Sequence, residues 1–124
     1  MADLIATKFL IMRSDLPHET QTIELPRDPG YIALRNIIAP LLNKGNLEHV
    51  SVLADFHGET NYKPLDMFVD DSGLIKGLPR NEAATLIYRR ANLMGRSAAP
   101  KVADPEQLSY ICGTAILFSR RVWF

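Results

Sequence analysis

The sequence predicts an α+β domain: a mainly antiparallel sheet of about five strands covered by two helices, in a single domain spanning residues 1–124. Three observations predict it. Short β-branched or alternating runs recur along the chain, and two longer stretches carry apolar residues at helical spacing. The strands are grouped around those helices without the strict strand–helix alternation that builds a parallel sheet. At 124 residues, with 47% hydrophobic and 23% charged residues, the chain has the size and composition of one domain with a continuous core.

The elements follow in order. "IATKFLIMR" (5–13) is apolar and β-branched, with Lys8 as its one interior charge, and reads as a central strand. "SDLPHE" turns the chain through its Asp and Pro. "TQTIELP" (20–26) sets Thr20, Thr22 and Glu24 against Gln21, Ile23 and Leu25, which makes a second, antiparallel strand with one wet face. In "RDPGYIALRNIIAPLLN", Asp28 is expected to cap a helix and Pro29 to occupy its first position. Tyr31, Leu34, Ile38 and Leu41, with Ile37 beside them, would face the sheet. Pro40 removes the hydrogen bond to Asn36 and ends or kinks the helix.

"HVSVLADFHGE" (49–59) alternates again, and "GETNYKP" reads as a loop. "LDMFVDDSGLIKGL" reads as a hairpin: strand Met67–Val69, turn Asp70–Gly73, return Leu74–Lys76. The second helix, "NEAATLIYRRANLMG", is expected to start at an Asn81 cap. It places Ala84, Ile87, Tyr88, Ala91 and Met94 on one stripe, with Glu82, Thr85, Arg89 and Asn92 on the other side. The long loop over 96–110 exceeds usual connection lengths, which marks it as mobile or functional. "ICGTAILFS" is the closing strand, and "RRVWF" follows it.

Net charge is zero, but residues 1–71 carry 6 Lys/Arg against 11 Asp/Glu, and residues 72–124 carry 8 against 3. That balance argues against a general nucleic-acid binder. No apolar stretch approaches a bilayer span, and the first residues lack the cationic head and cleavage site of a signal peptide. The single cysteine, Cys112, has no partner for an internal disulfide, which suits a reducing cytoplasm. No cofactor is implied.

Several constellations carry possible chemistry. Lys76 and Arg80 flank the helix start at Asn81, with Arg89 further along, and unpaired helix N–H groups favour an anion. If Asn81 is only a cap, Asn81→Ala should cost roughly 1 kcal/mol and Asn81→Asp should be tolerated. Asp55, His57 and Glu59 alternate along one strand, a weak pattern for a divalent cation or an acid–base pair. Asp70 and Asp71 are neighbours that would point to opposite faces, which is poor geometry for a carboxylate dyad. In "RRVWF", Arg120 and Arg121 beside Trp123 and Phe124 offer a partner-binding anchor. The alternative has Val122 and Phe124 pointing inward, extending the last strand.

"MFVDDSGLIKGLPRNEAATLIYRR" and the later "ICGTAILF" resemble an uncharacterised domain family of small phage- and plasmid-associated bacterial proteins. Its pattern runs V-D-D-x-G, then K-G-L-P-x-N-x-x-A-T, then G-T-A-I near the end. Met67–Arg90 and Cys112–Leu117 carry the match, and "GYIALRNIIAPLL" is similar to the family's upstream helix. Residues 1–25 and "RRVWF" lie outside it. The resemblance implies an accessory protein of a mobile element and no reaction. The aromatic tail, the opposite charges of the two halves and the lack of a catalytic set favour a non-enzymatic, protein-binding or self-associating module as the first reading of function. The second is a small-molecule binder that holds a nucleotide-like anion at Asn81. An enzyme built on Asp55, His57 and Glu59 ranks third.

Overall fold

The computed structural model describes residues 3–14, 17–42, 47–54, 56, 63–70, 77–93 and 110–124. β1 (Leu4–Met12) and β2 (Glu19–Pro26) pair antiparallel, from Leu4 opposite Pro26 to Ile11 opposite Glu19. β3 (Leu47–Ala54) and β4 (Lys63–Asp70) form a second antiparallel pair, with Leu47 opposite Asp70 and Ala54 opposite Lys63. β5 (Ala115–Phe118) joins the two pairs and runs antiparallel to both, giving the order β2-β1-β5-β4-β3. The expected five-stranded antiparallel sheet is the one observed.

The pleat sorts side chains to two faces. On one, Leu10 and Met12 of β1, Leu65, Met67 and Val69 of β4, and Leu117 of β5 pack with Val50 and Val52 of β3 under Ala84 of α2 (Glu82–Leu93). On the other, Phe9, Ile11, Phe68, Ile116 and Phe118 pack under Leu34 and Ile38 of α1 (Tyr31–Ile38). The two helices thus cover opposite faces. β5 is buried on both, which is why "AILF" reads as an unbroken apolar run.

α1 departs from expectation at its start. Asp28 does not cap it: the N-cap is Gly30, at φ 83°, ψ 163°, and no side chain bonds the first turn. That backbone conformation is closed to L-residues, and it redirects the chain after Pro29, leaving Asp28 outside the helix. Tyr31, expected to face the sheet, is half exposed. Leu34, Ile38 and Leu42 form the buried row. The α-helix ends at Ile38, and a 3₁₀ turn over Ala39–Leu42 follows, as Pro40 requires.

α2 also differs. Thr85 and Arg89, placed on the side away from the apolar stripe by periodicity, are buried. The Thr85 hydroxyl accepts from the Ile111 N–H at 3.0 Å, so the segment before β5 covers this side. Lys63 and Pro64, read as loop, are the first residues of β4. Pro64 lies outside the stretch Met67–Val69 that pairs with β5, so its missing donor breaks no bond on that side. The hairpin return 74–76 lies outside the described residues, and only Tyr110 of the 96–110 loop is described.

Candidate functional site

"LDMFV" holds one charge in a buried strand. Asp66 is 0% exposed and sits on the α1 face of β4, beside Phe68. Burying a carboxylate is costly unless every lone pair finds a donor, and the fold supplies three. His49 Nε2 lies 2.6 Å from Asp66 Oδ1, and the backbone N–H groups of Val122 and Trp123 both donate to Oδ2 at 2.8 Å. Burial pushes the Asp66 carboxyl up, but the His49 bond and the Trp123 and Val122 N–H groups outweigh it, so its pKa lies below the ordinary value.

This carboxylate fastens the chain end to the sheet. Residues 119–124 leave β5 and are not strand; Val122 is buried, whereas Phe124 is 65% exposed. The alternative in which both point inward is therefore half right, for Val122 only. Trp123 stacks on His49 with ring centroids 5.1 Å apart and planes 13° off parallel. Its ring also meets Phe68 and Tyr31 edge-on at 5.8 and 6.2 Å.

Arg120 adds a second fastening. Its guanidinium donates to Thr7 Oγ1 at 3.1 Å, to the carbonyls of Pro26 and Arg121 at 2.9 Å, and to that of Arg27 at 3.0 Å. Burial, and then the neighbouring Arg27 charge, pull its pKa down. Arg121 is exposed, with its guanidinium carbon 6.0 Å from the Phe124 ring centre. Of the partner-interface candidates, Arg121, Trp123 and Phe124 are gathered at one place, while Arg120 is bound to backbone carbonyls.

Between the chain end and α1 lies a cavity of about 120 Å³, lined by Asp28, Gly30, Tyr31, Leu34, Val122, Trp123 and Phe124. Two of the lining side chains are large, apolar and exposed: Phe124 at 65% and Tyr31 at 50%. The volume falls short of a small-molecule site, which typically needs several hundred Å³. It is near that of the engineered 150 Å³ cavity that accepts a benzene ring, so it suits one apolar side chain.

The other candidate region is the start of α2. Asn81 is 1% exposed; its Oδ1 accepts from the Ala84 N–H at 3.1 Å, as expected of a cap. Its Nδ2 donates to the carbonyls of Met12 at 2.8 Å and Gly113 at 2.9 Å, bonds that tie α2 to β1 and to the approach to β5. Arg80 pairs with Glu82 at 2.7 Å and lies over the Tyr110 ring. Arg89 is buried two turns along α2, about 12 Å from the cap at 1.5 Å per residue. Lys76 lies outside the described residues, as do Asp55, His57 and Glu59. A larger open cleft of about 490 Å³ does adjoin the cap, lined by Arg13, Ser14, Pro17, His18, Asn81, Glu82 and Ala83. Arg13 is paired with Glu19 at 3.2 Å.

Among the described residues, no three His, Cys, Asp or Glu side chains are placed to hold a metal, and no helix is long and apolar enough to cross a membrane. His49 and Asp66 were missed by sequence reasoning, although a lone Asp inside "LDMFV" was the available signal. No family model, curated protein or solved structure matches this chain.

Proposed function

We propose that the protein is a non-enzymatic binding module that holds one apolar side chain of a protein partner against Tyr31, Trp123 and Phe124. The observation that carries this is a one-side-chain cavity surrounded by large apolar groups left in water. Exposed apolar groups that converge on a cavity mark interaction sites, whereas scattered ones do not. Aromatic anchors in such pockets supply much of the binding energy at protein interfaces. The wall is preorganised: Trp123 is held by His49 and by its N–H bond to Asp66, so little ordering cost remains on binding. An accessory role in a cytoplasmic setting, expected from the sequence, is part of the same proposal.

Tyr31→Asp with Phe124→Asp places charge on two exposed residues that line the cavity, so the fold should be kept. A protein captured by the wild type and lost by this double variant supports the reading. A second copy of the chain, seen as a concentration-dependent dimer lost in the variant, would make the module self-associating. Equal capture by both forms refutes it.

The cleft beside Asn81 favours a second reading, in which a nucleotide-like anion binds near Arg13 and His18. Ligand at a hundred times its dissociation constant adds about 2.7 kcal/mol of stability, a shift of several degrees at this size. A nucleotide screen that moves the melting temperature of the wild type and of Arg13→Gln equally would refute this second reading.

A further inference from the structure

The charge around the apolar cavity is mostly positive. Arg35 stands one helical turn from Tyr31 and three residues from Ile32, which makes it a surface neighbour of both. Arg121 lies beside Phe124, and Arg27 adjoins Asp28, which lines the cavity. All three are exposed. Arg120 adds a fourth guanidinium at the same edge, satisfied by carbonyls and not by a carboxylate. The described ion pairs of the molecule use Arg13, His49 and Arg80, and none uses these four arginines. Among the described residues, Asp28 is the one acidic group lining the cavity.

From this we infer that the partner is an acidic peptide segment carrying one large apolar residue. The apolar residue fills the cavity, and flanking carboxylates meet Arg27, Arg35 and Arg121. The inference rests on the cavity being the docking point proposed above. Guanidinium groups suit carboxylates because their fork geometry allows bidentate pairing. A nucleic acid fits less well: the Trp123 ring is occupied by His49 and by the edges of Tyr31 and Phe68, so it offers no open platform for a base. The chain's net charge of zero also lacks the general basic field of such binders.

The test is a random-peptide display library panned on the immobilised full chain, with binding of the enriched peptides then measured by fluorescence anisotropy. Enriched peptides are expected to be acidic, with a single Leu, Phe or Trp. Exchanging that residue for Ala, or using Phe124→Ala protein, should abolish measurable binding. Arg35→Gln with Arg121→Gln should weaken it about three- to tenfold, with a matching loss as salt is raised. Enrichment of neutral or basic peptides that still need Phe124 would overturn the acidic partner and leave the docking point standing. If no peptide depends on Phe124, both fall. Tighter binding of polyuridylate RNA or phosphatidylserine vesicles than of any peptide, lost in the double arginine variant, would also overturn the inference.

Discussion

Replacing Asn81 by Asp changes a single group from donor to acceptor, and the structure sets the consequence. As a cap, Asp is as good as Asn and its charge suits the positive helix end, so the cap alone predicts no loss. The buried surroundings reverse this. The new oxygen would stand where Nδ2 now donates, 2.8 Å from the Met12 carbonyl and 2.9 Å from the Gly113 carbonyl. Each acceptor deprived of its donor costs about 1–3 kcal/mol, and a buried carboxylate facing two carbonyl oxygens must lose its charge or its place. The expected loss for Asn81→Asp is therefore about 4 kcal/mol at neutral pH. Asn81→Ala, which also gives up the bond to the Ala84 N–H, should cost about 3 kcal/mol. Both are large against a total of roughly 5–15 kcal/mol.

The sign with pH separates the two. Burial raises the new carboxyl's folded-state pKa above its unfolded value of about 3.9, so the penalty grows as pH rises from there. Asn81→Asp should thus recover stability in acid relative to wild type, and Asn81→Ala should not. Urea unfolding followed by Trp123 fluorescence reads this as midpoint shifts of about 1–2 M. If Asn81→Asp unfolds at the wild-type midpoint, or Asn81→Ala loses no more than a cap's ~1 kcal/mol, the Met12 and Gly113 bonds contribute nothing and the reasoning fails.

Other outcomes follow from the same contacts. Asp66 has a lowered folded pKa, so its stabilisation is present above its ordinary value of 3.8 and is lost as pH falls through the folded value. Asp66→Asn should cost about 2 kcal/mol at neutral pH and remove that acid-side loss, seen as a flatter plot of urea midpoint against pH. Arg120→Lys keeps the charge but not the fork that reaches Thr7, Pro26 and Arg27. It should cost about 1–3 kcal/mol and speed amide exchange in 119–124; unchanged exchange would count against the fastening. Gly113 has φ +84°, and an added Cβ would lie 2.8 Å from Leu78 Cδ1. Gly113→Ala should therefore lose about 1–3 kcal/mol, only part of it recovered by Leu78→Ala, as measured by thermal melts.

Local pattern carried the strands and helices because each buries a face that its own residues announce. "TQTIELP" alternates, and "AILF" has no polar residue to expose. What failed depends on residues distant in sequence. Thr85 reads as surface until the chain at Ile111 covers it, and Arg89, on the same side by periodicity, is buried as well. Asp28–Pro29 is a sound cap signature, but it lost to a neighbouring glycine whose backbone conformation no periodicity reports. Asn81 was legible as a cap, yet its two longer-range bonds span 69 and 32 residues. In the candidate site, the aromatic tail was visible. The His49–Asp66 pair behind it needed the strand register, which places residues 17 apart on facing strands.

The position of β5 bears on how the chain is made. Phe9 pairs with Phe118 across roughly 110 residues of intervening chain, and the same four-residue strand also pairs with β4. Until β5 exists, β1–β2 and β3–β4 are two separate hairpins, each with an unpaired inner edge beside an apolar face. Such high contact order slows folding, and open edges invite pairing with other chains. A nascent or truncated chain lacking residues 110–124 should therefore aggregate where the full chain does not. By the same logic, a synthetic 110–124 peptide added in trans should fill the gap, making this fold a natural split pair with its cut just before the strand that unites it.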